Sequence, residues 1–443
     1  MPLPVDFQAA QPAMSASAAA SGTDNKAIVV IYLGGGTDCH NMITPRTGVN
    51  RTAYVSARPD TALADNPATA LNSELQFHPA LTRIKQLWDL GKVAVVSNVG
   101  PLIFPMTKTQ YNAGTVSKPI QLFSHSDQNS LWQTGLAQNP VSPTGWVGRL
   151  SDLVNTAYNP SSVVPPGITF AGVQTAFRSN DAPSIGWGST GMRLRDNSIG
   201  GYRLQSGSES ILTNMLSTYS NLSDTMMATI INSHNKANAA RTVVNNAINS
   251  VTVNTVFPTV GLGETNLAAQ ARTIARSIKS MSQMSQRRQI YWMVQGGFDH
   301  HADLISLLNT RFNTLDPVVK AFYDATVELG IQNNVVLLIY SEFGRSLVQN
   351  GSGTDHAWGG HSLVIGGGVT GGVYGTFPDL TLSGPNMVDN RGYLLPTTPT
   401  ESLYATLARW FGVPDATSNG VNPMNLFCPN LPNFAVRNLG FLG

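Results

Sequence analysis

"AIVVIYLGGGTDCHN", residues 27–41, decides how the chain is built. It opens as an unbroken apolar run rich in Val and Ile, and three glycines stop it. An uninterrupted run suits a strand covered on both faces, whereas a strand with one wet face alternates. The pattern recurs in VAVVSNV from Val93, IYWMVQ from Ile290 and VVLLIYS from Val335. Helical periodicity precedes two of these, over Leu71 to Leu90 and Asp303 to Leu329. Strands alternating with helices predict an α/β fold, a mostly parallel central sheet sandwiched by helices.

The chain has 443 residues, 42% of them apolar, enough for one large domain, which we assign to residues 27–443. A helical insertion is expected over about residues 200–285, starting at a capping box of Ser206 and Glu209 ahead of an apolar stripe from Ile211 to Ile231. "TPTESLYATLARWFGVP", residues 398–414, predicts a surface helix with Thr398 and Glu401 as its capping box and Gly412 as its stop. Charged residues make up only 12% and the net charge is +2, which excludes the basic patch that nucleic-acid binding needs. No run approaches the roughly 20 apolar residues of a membrane span. A surface that takes its polarity from Ser, Thr, Asn and Gly predicts a periplasmic or extracellular protein. Residues 1–26, rich in Ala, Ser and Pro, read as a flexible leader or export-signal remnant. Cys39 and Cys428 are too few for a disulfide framework.

Polar residues gather where the strand runs end, the edge at which doubly wound sheets bind ligands. The first run leads to Asp38 and the second to Thr107 and then Ser124, His125 and Ser126. The third leads to "GGFDHHAD" with Asp299 and His301, the fourth to "SEFGR" with Glu342 and Arg345, and "GTDHAWGGH" follows with Asp355, His356 and His361. Six of the eight histidines lie in these loops, which chance scatter explains poorly. Carboxylate and imidazole donors delivered by several strand ends suit a divalent ion. Glycines beside them let backbone approach an anion closely. The blander reading of "GGFDHHAD" is a helix start in which Asp299 binds backbone amides.

These blocks, together with "GWVGRL" and "SLVIGGGVTGGVYGTFPDL", resemble the bacterial domain-of-unknown-function family 1501 from about Ala27 to Phe411, six blocks in the right order. That family is grouped with the alkaline phosphatase and sulfatase superfamily. The resemblance implies an α/β sandwich that holds one or two divalent metals, zinc, manganese or calcium, and transfers phosphoryl or sulfuryl groups, in proteins that are often exported. It carries Asp38 onto the first metal aspartate, Asp299 and His301 onto a later Asp/His pair, and His356 or His361 onto the final histidine. Where superfamily enzymes commonly read Ser-Asp-His-Gly, this chain reads Ser341-Glu342-Phe343-Gly344, and phenylalanine cannot ligate. Either Asp355 and His356 supply the missing ligands, or the site holds one ion or none.

The leading expectation is an exported metal-dependent hydrolase of phosphate or sulfate esters. Asp38, Asp299, His301, Glu342, Asp355, His356 and His361 are its candidate ligands. Ser124 is the first choice of nucleophile ahead of Ser126 and Thr107, His125 is a general acid or a ligand, and Arg345 binds nonbridging oxygens. The substrate would be a small anionic ester or glycan. The rival expectation is a catalytically silent secreted protein that self-assembles or binds a secreted partner protein, and a third is an anion- or sugar-binding module without turnover.

Overall fold

All four apolar runs become strands of one sheet. The computed structural model describes residues 8–20, 24–182, 184–186, 198–199, 202–203, 225–260, 263–264 and 266–443. In chain order its principal strands are β1 (Lys26–Gly34), β2 (Val93–Gly100), β3 (Gly167–Thr169), β4 (Ser184–Gly186), β5 (Arg288–Gly296), β6 (Val335–Tyr340), β7 (Arg345–Asn350), β8 (Gly353–His356), β9 (Gly360–Ile365) and β10 (Gly372–Tyr374). The sheet runs β10-β2-β9-β6-β1-β5-β3-β4, with Thr398–Pro399 added to β2, while β7 and β8 form a hairpin of their own. Every pairing in the sheet is parallel except those of β9, which runs against both β6 and β2.

The helices that cover it are α1 (Gln11–Ala20), α2 (Thr82–Asp89), α3 (His125–Thr134), α4 (Trp146–Tyr158), α5 (Thr225–Asn249), α6 (Asn266–Lys279), α7 (Leu304–Glu328) and α8 (Thr400–Phe411). Val29, Ile31 and Leu33 of β1 face one apolar layer with α2, α5, α6 and α7, while Ile28, Val30 and Tyr32 face the other with α1, α4 and α8. Both faces of β1 are therefore dry, which accounts for its lack of alternation.

Several elements differ from the sequence reading. The second half of Leu71–Leu90 alone is helical, because Leu75–Phe77 pairs as a short strand with Ile43–Pro45. The Ser206–Glu209 cap lies outside the described residues, and α5 and α6 pack into the same layer as α2 and α7, so this part of the expected insertion belongs to the main core. Helix α8 is no surface helix: of its residues only Arg409 is exposed, Pro399 precedes it without a side-chain cap, and Glu401 is buried. Gly412 does stop it, in the left-handed region. Within the leader, Gln8–Ala20 is helical and packed: Met14 is fully buried among α1 and α4 residues, and Ser17 Oγ donates to the Gly412 carbonyl at 2.8 Å. Cys39 and Cys428 are both buried, unbridged thiols. Among the described residues no helix is long and apolar enough to cross a membrane.

Because Met14 fills part of the core, Met14→Ala should lower the unfolding free energy by about 2 kcal/mol or more, read from urea denaturation at constant slope. An unchanged midpoint would mean that the leader is free in solution.

Candidate metal centre

The carboxyl ends of β1, β5 and β6 and the start of β9 lie on one edge of the sheet, and the loops there must pass very close to one another. Glycine makes this possible. A Cβ on Gly35 (φ +122°) would come within 2.5 Å of the Asp299 amide nitrogen, and one on Gly36 (φ +72°) within 2.1 Å of the Phe343 ring. The glycines after β1 thus admit the β5 and β6 loops.

Asp299 is the hub. Its Oδ1 accepts from Arg345 Nη1 at 2.7 Å and lies 3.0 Å from His301 Nε2 and 3.2 Å from His356 Nε2, while its Oδ2 lies 3.4 Å from His125 Nε2. Its carboxylate turns to side chains, and the helix after it begins at Asp303 without a side-chain cap, against the helix-start reading. Burial acts to raise the pKa of this carboxyl, but the Arg345 guanidinium and the imidazoles around it outweigh burial and hold it at about 2.

Two of the imidazoles are oriented from behind. His356 Nδ1 lies 2.8 Å from the Phe123 carbonyl and must donate to it, which leaves Nε2 with its lone pair toward Asp299. Phe123 sits at φ 75°, a left-handed conformation that a bulky residue adopts at a cost, and this turn presents its carbonyl to the ring. His125 Nδ1 lies 2.8 Å from Glu342 Oε1, so its Nε2 likewise faces Asp299, and that nitrogen is buried with no hydrogen-bond partner. The Glu342 hydrogen bond raises the His125 pKa, with burial opposing, whereas burial lowers that of His356. The donor atoms of His125, Asp299 and His356 all lie within 4.8 Å of one another. An orphaned buried nitrogen, a second lone pair and a carboxylate oxygen around one point fit a divalent ion. Phe343 ligates nothing and forms a wall, its ring centroid 4.8 Å from that of His125 and 5.0 Å from that of His356.

The structure brings His125, Asp299, His301, Glu342, Arg345, Asp355 and His356 together and leaves others out. Asp38 is fully buried, accepts from the His40 and Asn41 amides and pairs with both terminal nitrogens of Arg58 at 2.7 and 3.1 Å, so its oxygens are committed. His361 is buried, its Nδ1 accepting from the Asn98 amide at 3.2 Å and its ring stacked on Phe377. Glu342 orients His125 and does not itself face the gap, since it also accepts from the Gly35 amide and from Ser341 Oγ, each at 2.9 Å. Arg345 is fully buried and gives four of its five N–H donors to Asp299, the Gly35 carbonyl and Thr354, so it does not face a substrate oxygen. Ser124 caps α3, donating to Asp127 Oδ2 at 2.7 Å, Ser126 bonds the same carboxylate, and Thr107 caps the short helix Lys108–Ala113 through a box with Gln110. Asp355 stands behind His301, its Oδ1 3.7 Å from Nδ1. Sequence reasoning missed the Phe123 carbonyl and the wall role of Phe343. A backbone acceptor leaves no trace in residue type, but the glycines opposite Phe343 were a usable signal.

Residues 208–424 match the family model described as "Protein of unknown function (DUF1501)". No curated protein matches the chain. Among solved structures, the chain is similar to Ps i-CgsB (10% identity, 92% of this chain and 77% of that chain, TM-score 0.39). It is also similar to BT1596, a 2-O GAG sulfatase (9% identity, 92% and 75%, TM-score 0.35), and to the lipoteichoic acid synthase LtaP from Listeria monocytogenes (8% identity, 91% and 76%, TM-score 0.34).

Burial keeps three histidines near this edge neutral, which works against the fold in acid. It lowers the pKa of His361 and His78 to about 4 and that of His40 to about 3. The unfolded chain takes up protons near pH 6.5 while the folded histidines stay neutral, so this stability is present above pH 6.5 and lost as pH falls toward 4. His361 alone should account for about 2 kcal/mol between pH 7 and pH 5. Urea unfolding at the two pH values, compared between the parent and His361→Asn, checks it: the loss on acidification should shrink by about that amount in the variant, and an unchanged loss would refute the buried neutral imidazole.

Proposed function

We propose that the chain is an exported metal-dependent hydrolase of phosphate or sulfate esters, with His125, Asp299 and His356 holding one divalent ion. The observation that carries this reading is that two imidazoles, each fixed from behind by an acceptor on Nδ1, turn their Nε2 lone pairs toward one carboxylate. Two nitrogen donors favour zinc or manganese over calcium, which prefers all-oxygen surroundings. When bound, such an ion supplies Lewis-acid polarisation of an ester oxygen and neutralises charge on the transferred group.

The chain's own residues do the rest. Glu342, buried beneath His125, fixes the ring's tautomer and angle. Arg345 holds Asp299 ionised and in place, and Phe343 shields the inner side of both imidazoles from water. Asp299 and His301, 44% and 48% exposed, leave the outer face open to a substrate, as a catalytic site requires. His301 Nε2, 3.0 Å from His356 Nε2, borders that opening and is placed to ligate as well.

Metal analysis of the purified protein should find close to one divalent ion per chain. Chelation should abolish ester hydrolysis and zinc or manganese should restore it. Glu342→Gln should weaken metal binding about 10- to 100-fold with the fold intact, the usual effect of removing an outer-shell carboxylate. An ion-free preparation that still cleaves esters at full rate would overturn the proposal.

A further inference from the structure

We infer that Arg391 is the residue that reads the anionic group of the substrate at this centre, so the site selects a tetrahedral oxyanion through one guanidinium at its rim. The inference rests on the ester-hydrolase reading and adds to it a specificity residue that sits outside every sequence block singled out above.

Of the guanidiniums that border this edge among the described residues, Arg58 and Arg345 are committed, and Arg311 is held at the Gly297 carbonyl, to which its Nε donates at 3.1 Å. Arg58 is buried against Asp38, Asn41 and the carbonyls of Ser346 and Leu347. Arg345 is buried against Asp299 and Thr354. Arg391 is different: its side chain is 66% exposed, and it reaches the centre through Asp355, whose Oδ2 lies 3.5 Å from Nη1 and whose Oδ1 faces His301. Its other contact is the Tyr393 hydroxyl at 3.2 Å.

The backbone beneath Arg391 is held in place although most of the side chain is exposed. Asp389 Oδ1 accepts from the amides of Arg391 and Tyr393, and the carbonyls of Arg391 and Gly392 accept from Val348 and Leu347 of β7, each at 3.0 Å. Gly392 (φ +75°) allows this approach, since a Cβ there would lie 2.6 Å from Leu347 Cβ. A fixed stem carrying a planar cation that is bonded through Nη1 alone and is mostly exposed suits bidentate recognition of an oxyanion through its Nε and Nη2 edge.

Electrostatics gives the arrangement an order. With Asp299 on the open face and Asp355 behind His301, the rim repels an anion until a cation occupies the centre. Loading the metal cancels that charge, and Arg391 then adds the directional contact.

The test uses the full chain loaded with zinc and inorganic phosphate or sulfate as the probe, followed by calorimetry or by competitive inhibition of ester cleavage. Arg391→Ala should weaken oxyanion binding about tenfold or more, the loss of a charge-assisted hydrogen bond. Zinc affinity and melting temperature should be unchanged, and Arg391→Lys should recover part of the binding. The metal-free protein should bind neither anion. A zinc-loaded Arg391→Ala protein that binds phosphate and sulfate as the parent does overturns this inference alone, whereas a chain that takes up no zinc overturns the metal reading and this inference with it.

Discussion

The contact between Arg345 and Asp299 holds the edge of the sheet together. Arg345 starts the β7–β8 hairpin, donates across it to Thr354, reaches the Gly35 carbonyl after β1, and ends on the carboxylate after β5. Three loops from distant parts of the sequence are thereby tied to one guanidinium that water cannot reach. Removing Asp299 would leave the fully buried guanidinium without its counter-charge, which costs more than an exposed ion pair is worth. The imidazoles depend on the same contact, since the oxygen that Arg345 fixes is the one His301 and His356 approach.

The fold was legible in the sequence because its cause is local and repetitive. Continuous apolar runs at Ala27, Val93, Ile290 and Val335 admit little besides strands buried on both faces. Helices were read less well where burial overrides pattern: the residues of α8 look amphipathic by spacing, yet the helix is enclosed by the chain's own C-terminal segment, with Cys428 Sγ 3.7 Å from the Glu401 carbonyl and Ser402 donating to that of Val436. The Ala-rich start misleads similarly, since small residues suit a disordered tail and also a helix lying close against α4.

The site was legible as a set of loops, much less as a set of roles. Residue type announces that Asp38 can bind a cation but not that Arg58, 20 residues on, occupies it first. It offers Arg345 as an anion receptor, and only the three-dimensional arrangement shows its donors turned inward. Glu342 and Phe343 look like lost ligands on paper. In space they are the support and the wall of His125, a ring that comes from a different loop altogether.

One reversed strand explains how so many loops share that edge. Since β9 runs against its neighbours, the chain enters it beside the ends of β1 and β6 and leaves it at the opposite edge, where the amides of Gly366, Gly367 and Gly371 donate to the carbonyls of Lys92, Gln332 and Gly91. The molecule thus has two poles of unlike character, one crowded with imidazoles and carboxylates, the other joined mostly through main-chain carbonyls, with Lys92 Nζ on that of Gly367 and Asn334 Nδ2 on that of Asn25, each at 2.7 Å. Extra residues inserted at the second pole would leave the donor cluster at the first where it is, so the two ends differ in how much change in length they can absorb.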